Sequence, residues 1–233
     1  MYSPAGFNDV QAEYQGIVMS IDPSGRGADE TGYAIVAHLN GYNYILRCGG
    51  FQGGYDEQTV LNPLSILAKQ YKVSKIIVES NFGDGLFTKV FQEVVHRIYP
   101  AAIEEVRHHT QKELRIADTL EPLFAKHRMV LDKTVVEEDY RTIQKYDQEK
   151  RNAKSLIYQM SRLTRERGCL RHDDRLDALA MAVAYWAEAN AQNAEAGAAD
   201  LKRERMMMMS QDYFSRLPGV ASAGDDQGWG RNN

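Results

Sequence analysis

The sequence predicts an α/β domain with a mixed sheet: antiparallel strands first, parallel βα units after them, and helices on both faces. Two observations predict it. Apolar runs of strand length flank Asn40-Gly41, a dipeptide suited to a type I′ turn because such a turn needs positive φ at both central residues. Beyond residue 57, short apolar runs alternate with segments whose apolar residues recur at helical spacing, the order that builds parallel strands with crossover helices.

Taken in order, residues 1–14 are polar, carry Pro4 and Gly6, and read as a linker or flexible terminus. Strand 1 is expected at 16–22, followed by the Gly-rich polar loop Pro23 to Glu30. Strands 2 and 3 follow at 32–39 and 42–51. Val60, Leu61, Leu64, Leu67 and Ala68 recur at helical spacing and predict a helix over 57–71. The buried run Ile76-Ile77-Val78 predicts a strand over 75–79. A turn-rich loop, Ser80 to Gly85, leads to a helix over 85–98 that stops before Pro100. A strand at 103–107 and a helix at 111–127, bent near Pro122, come next. A short extended piece at 128–131 precedes helices at 134–145 and 153–166, and a last helix begins near 172. The domain is expected over 15–190. Residues 191–233 read as a flexible tail: Met206 to Met209 form an adaptable apolar run, and the Gly-, Asp- and Asn-rich end cannot build a core. With Tyr213, Phe214 and Leu217 nearby, this tail is a candidate docking segment. A helix extension packing on its own domain, or plain disorder, is the slightly favoured reading.

Composition narrows the function. A chain of 233 residues, 43% hydrophobic and 26% charged, holds one domain with a real core. No apolar run is long enough to span a bilayer, so no membrane role is expected. Cys48 and Cys169 stand far apart with no Cys-x-x-Cys spacing, which argues against zinc and a disulfide framework. Net charge is −4, so the chain as a whole is no generic polyanion binder. One segment is nevertheless basic: ten Lys or Arg residues lie between Arg141 and Arg175. Alone, such a run is usually a solvated helix face. Here it leads into the acidic cluster His172-Asp173-Asp174-Arg175-Leu176-Asp177.

That cluster carries the chemistry. Asp174 and Asp177 are i,i+3 neighbours on a helix, and Asp173 and Asp177 are i,i+4 neighbours, so their charges repel unless a cation lies between them. Asp22 and Glu79 each end an apolar strand, at the sheet edge where α/β folds place ligands. Taken singly, Asp22 reads as an Asx-turn residue, Glu79 as a surface acid, and Asp173 and Asp174 as helix N-terminal acids. Asp177 resists that explanation, because Leu176, Leu179 and Ala180 put it on a face that must pack. Together the acids form a candidate site for Mg²⁺ or Mn²⁺, hard cations that prefer oxygen ligands.

Four stretches, Ser20 to Gly27, Ile77 to Gly85, Lys112-Glu113-Leu114-Arg115-Ile116 and His172 to Leu179, resemble in order the nuclease domain of the large terminase subunit of tailed bacteriophages, nearest the short-tailed type. The resemblance covers about residues 15–190. It implies a ribonuclease H-like fold, cutting of concatemeric double-stranded DNA during genome packaging, and action in the host cytoplasm. It also implies a packaging ATPase domain, a portal protein and a small terminase subunit as partners. Asp22, Glu79 and an Asp of the last helix become the implied metal ligands. The Asp-x-x-Asp-Ala-Leu-Ala pattern of related Holliday-junction resolvases maps onto Asp174 and Asp177 and ranks them above Asp173. The expected chemistry is phosphodiester hydrolysis with two Mg²⁺ or Mn²⁺ ions. Arg26, Lys112, Arg115, Lys150, Arg151, Lys154, Arg162, Arg165, Arg171 and Arg175 are candidates for the DNA backbone, contacts that position a duplex without reading it. Little sequence preference is therefore expected. His172 is a candidate accessory ligand, more simply a helix N-terminal residue. A whole large terminase also carries an ATPase with a Gly-x-x-x-x-Gly-Lys-[Ser/Thr] loop, and no Gly-Lys dipeptide occurs here, so an isolated nuclease half is expected. A junction resolvase and a non-catalytic packaging module are the competing readings, with an actin-like nucleotide-binding domain behind them.

Overall fold

The computed structural model describes residues 12–24, 29–80 and 85–215; Arg26, the 25–28 loop and residues 81–84 and 216–233 lie outside the described residues. The chain divides into Met1–Trp186 and Ala187–Asn233. In the first unit the strands are β1 (Gly16–Asp22), β2 (Thr31–Leu39), β3 (Tyr42–Phe51), β4 (Lys75–Glu79), β5 (Ala102–Val106) and β6 (Met129–Leu131). The helices are α1 (Asn62–Gln70), entered through a π-helical turn at Glu57–Leu61, α2 (Leu86–Ile98), α3 (Lys112–Ala125), α4 (Lys133–Ile143), α5 (Gln148–Arg151), α6 (Leu156–Arg162) and α7 (Asp174–Ser215). Among the described residues the sheet runs β5-β4-β1-β2-β3-β6.

The first three strands form the expected antiparallel set. Asn40 and Gly41 take φ of 52° and 78°, the two positive values a type I′ turn requires. β4 joins β1 in parallel and β5 joins β4 in parallel. The piece foreseen at 128–131 becomes β6, which pairs in parallel with the far edge of β3. The long helix expected over 153–166 is shorter: α6 begins at Leu156, where Ser155 accepts the Tyr158 N–H, and ends before Leu163. Asp56 and Asp132 start their helices in the same way, each accepting backbone N–H groups with its carboxylate.

The two faces of the sheet differ in chemistry. Met19, Ile21, Tyr33, Ile35, Ile76 and Val78 point to one side, where they pack with Leu61 and Leu64 and with Phe87 and Phe91 of α2. With a strand period of two, Ser20 and Asp22 face the other side. There the Ser20 hydroxyl donates to the Ala178 carbonyl, and Trp186 donates its indole N–H to the Val36 carbonyl at 3.2 Å. The first three turns of α7 thus run along β1 and β2, opposite in direction to β1. Gly32 makes this approach possible, since a Cβ there would lie 2.1 Å from the Asp174 carbonyl oxygen.

The second unit is described by itself. A flexible tail was expected from 191, with a helix extension as one reading of it; the described part of this unit, from Ala187 to Ser215, is helical. Its Ala, Glu, Lys, Arg and Met content is that of a strong helix former. Leu201 and Met206 to Met209 are exposed along it. Among the described residues no helix is long and apolar enough to cross a membrane.

Gly32→Ala is expected to destabilise the domain at or above the upper end of the roughly 1–3 kcal/mol cost of overpacking, because backbone rather than a flexible side chain must move. Urea denaturation measures it, and an unchanged midpoint would refute the close approach of α7 to β2.

Candidate metal centre

The last β1–β4 ladder pair is Ile21↔Val78, so the next residues in register are Asp22 and Glu79. Two parallel strands therefore deliver adjacent carboxylates at their C-terminal ends. α7 supplies the third: oxygens of Asp22, Glu79 and Asp177 all lie within 4.8 Å of one another. The Asp177 side chain is fully buried and that of Glu79 is 8% exposed.

Two cations from the first turn of α3 enter this cluster. Lys112 Nζ lies 3.1 Å from Asp22, 3.0 Å from Asp173 and 2.9 Å from Asp177. Arg115 lies 2.6 Å from Asp177 and 3.7 Å from Glu79. Both Asp177 oxygens thus rest on these two side-chain cations. A fully buried carboxylate is costly without positive charge beside it, and a divalent cation, which asks only for oxygen at short range, suits the same cluster.

Electrostatics agree with the geometry. Burial pushes the Asp22 carboxyl well above its ordinary pKa; Lys112 opposes this, while Asp177 and Glu79 add to it. Glu79 is raised by burial and then by Asp177. For Lys112, burial alone would favour loss of the proton, but Asp22, Asp177 and Asp173 hold the ammonium far above its usual value. Like charges about 4 Å apart at an effective dielectric near 20 repel by roughly 4 kcal/mol, so these acids stay together only with positive charge among them.

Asp174 lies elsewhere. The expectation ranked it above Asp173, but its carboxylate turns to Lys154 at 3.3 Å and groups with Asp29 and His172. Asp173 is the one that shares Lys112 with Asp22 and Asp177. The reason is helical geometry: residues four apart stack on one face, and Asp173 accepts the Asp177 N–H as the i,i+4 partner.

The basic segment also divides. Arg175 is fully buried; its guanidinium bonds Glu30 at 3.1 and 3.2 Å and Asp139 at 2.8 Å, so it is closed to DNA. Tyr146 donates its hydroxyl to Glu30, and Asp139 also accepts from Ser155 and from the Leu156 N–H. Lys154, 3% exposed, is held between Asp174 and Asp29. Arg165 is bridged to Asp118 and Glu121, and Arg151 donates to the Gln144 and Tyr146 carbonyls. Lys150, Arg162 and Arg171 remain exposed. Arg162 and Arg171 line a hollow of about 760 Å³, and Arg171 and Lys150 line one of about 320 Å³. His172 lines both.

Sequence reading missed Glu30, Asp29 and Asp139. Asp139 did leave a signal: it stands on α4 between Val135 and Ile143 at i+4 spacing, an acid on the buried stripe. Asp29 and Glu30 left none, because they close a polar loop where acids are ordinary.

Comparison with known proteins now places the chain. The family model for the ribonuclease H-like domain of the bacteriophage T7 terminase matches residues 21–129. The large terminase subunit of Enterobacteria phage T3 is 48% identical over 173 residues, which is 74% of this chain and 29% of that protein. Residues 21–129 thus match a terminase ribonuclease H-like domain, and most of the chain is similar to part of a phage large terminase subunit. The chain spans less than a third of the length of that T3 relative. A human cytomegalovirus terminase nuclease domain, Mn-soaked and inhibitor-bound, aligns over 78% of this chain and 87% of its own, with a TM-score of 0.52 and 14% identity. At that identity it supports the fold alone, a ribonuclease H-like mixed sheet. The nuclease domain of the large terminase subunit gp2 of bacterial virus Sf6 aligns over 74% of this chain and 89% of its own at 13% identity, with a TM-score of 0.48.

Arg175→Met is expected to destabilise the domain by about 3–5 kcal/mol, because Glu30 and Asp139 would stay buried without their cation. Burial acts to raise the Glu30 pKa, but the Arg175 guanidinium and the Tyr146 hydroxyl bring it below its ordinary value. Its contribution is therefore full above the unfolded carboxylate pKa and lost as pH falls through the lower folded value. Denaturation curves of wild type and variant should converge in acid; a gap that persists there would refute the ionic origin.

Proposed function

We propose that this domain is a metal-dependent endonuclease that hydrolyses phosphodiester bonds of double-stranded DNA. The buried Asp177 carboxylate, with an oxygen within 4.8 Å of those that Asp22 and Glu79 bring from the strand ends, is the observation that carries it. Asp22, Glu79 and Asp177 are the residues that would hold Mg²⁺ or Mn²⁺, with Asp173 at the rim. When bound, two such ions supply an acidified attacking water and stabilisation of the leaving oxygen. The chain's own residues do the rest. Arg115 holds the Asp177 and Glu79 carboxylates in place from α3. Ser20 and Gly32 seat α7 so that Asp177 stays over the strand ends. Exposed Lys150, Arg162 and Arg171 suit a duplex backbone, and phosphate contacts of this kind imply cutting with little sequence preference.

In the wider reading the domain cuts concatemeric viral DNA in the host cytoplasm, joined to a packaging ATPase and working with portal and small-subunit partners. The 48% identity to the T3 large subunit supports that setting.

Incubation with supercoiled plasmid in Mg²⁺, in Mn²⁺ and in EDTA tests the chemistry. Nicking and linearisation are expected with either metal and not with EDTA. Asp22→Asn and Asp177→Asn should each lower the rate by at least about 10²-fold, the scale of losing one electrostatic stabiliser. Cleavage that survives in both variants would sink the assignment.

A further inference from the structure

Lys112 takes part in no step of the chemistry above, yet its ammonium is within 3.1 Å of oxygens from Asp22, Asp173 and Asp177. It therefore stands where cations would be bound. We propose that Lys112 is a built-in counter-ion that competes with the metal ions for these carboxylates and is drawn away by a DNA phosphate, so that full metal loading is coupled to DNA engagement.

The inference rests on the metal-site reading and adds a charge constraint to it. Asp22, Glu79, Asp173 and Asp177 bring four negative charges, and Lys112 and Arg115 bring two positive ones. The net of −2 is neutralised by one divalent ion. A second ion leaves an excess of +2 while Lys112 stays in place. In a site this buried, an uncompensated charge costs several kcal/mol. Two changes relieve it: withdrawal of Lys112, or arrival of phosphates. They favour each other, because a phosphate is also the ligand that an outgoing ammonium would seek.

The position of Lys112 allows the movement. It is the first residue of α3, where helical hydrogen bonds do not yet hold it, and its side chain is 34% exposed, against none for Asp177. It also lines an open hollow of about 470 Å³ with His109, Gln111 and Arg167. Its flexible stem can therefore move the ammonium outward while the backbone stays. Arg115, one turn further into α3 and 13% exposed, has no such exit and reads as the fixed partner.

Calorimetric titration of Mn²⁺ into wild type, Lys112→Met and Lys112→Arg tests this without any cleavage assay. Met removes the charge and keeps the length; Arg keeps the charge. Lys112→Met should bind Mn²⁺ about tenfold more tightly or more, while Lys112→Arg stays near wild type. Repeating the titration with Ca²⁺ and a short duplex should raise affinity more in wild type than in Lys112→Met. Circular dichroism of each variant establishes that it is folded, and if Met unfolds the metal-free domain, Lys112→Gln replaces it. Unchanged or weaker Mn²⁺ binding by a folded, uncharged variant overturns the proposal. Absence of Mn²⁺ binding by wild type would instead overturn the metal-site reading beneath it.

Discussion

The site depends on how closely α7 can lie on the sheet. Gly32 is the register partner of Asp22, and the Asp174 carbonyl rests directly on its backbone. No other residue type leaves room there. Once the first turn of α7 is seated at that point, Asp177 falls one turn along, above the ends of β1 and β4. The Ser20 hydroxyl then fixes the helix at Ala178 and Trp186 fixes it further along. A strand position without a side chain thus sets which carboxylates meet.

Seating a helix on backbone does not by itself fix its rotation, and here Arg175 matters. It sits between Asp174 and Asp177 on the buried side of α7, held by Glu30 just before β2 and by Asp139 of α4. Such a buried pair adds little net stability compared with apolar packing, but it specifies one arrangement and penalises others. With Arg175 pointing inward, Asp173 and Asp177 turn toward Asp22, while Asp174 turns toward Lys154. Two acidic groups therefore form on either side of one arginine, each with its own lysine. The same network reaches the segment after α4, since Tyr146 and Lys145 also meet Glu30.

Most of the sheet was legible in sequence, because strand signals are local: apolar runs at 16–22, 42–51 and 75–79 match β1, β3 and β4 at both ends. Asn40-Gly41 fixed the hairpin for the same reason. The parallel pairing of β6 with β3 was not legible, since three residues carry no partner information. Asp22 and Glu79 were legible as acids ending apolar strands, and Asp177 as an acid on a face that must pack. Ranking Asp174 above Asp173 rested on a pattern along the chain; in the fold Asp173 lies at Lys112 and Asp174 at Lys154, a placement that depends on helix rotation, which a pattern does not carry. Over 187–215 only Ala-rich propensity argued for a helix, and a helix extension was one of the readings of that stretch.

The basic run shows why charge counted along a chain misleads. Ten cations between Arg141 and Arg175 suggest a strongly positive surface. Burial and pairing remove Arg175, Lys154 and Arg165 from that sum, and Arg141 is matched by Glu138. Arg175 and Lys154 balance acids that the fold brings inside, Glu30 and Asp139 for the one and Asp174 for the other. Only the remainder of the segment, with Lys150, Arg162 and Arg171 among it, faces outward. Each outward cation that meets a phosphate would add to affinity for a polyanion through released counterions. The buried acids Glu30, Asp139 and Asp174 therefore set how much of this segment's positive charge is left on the surface.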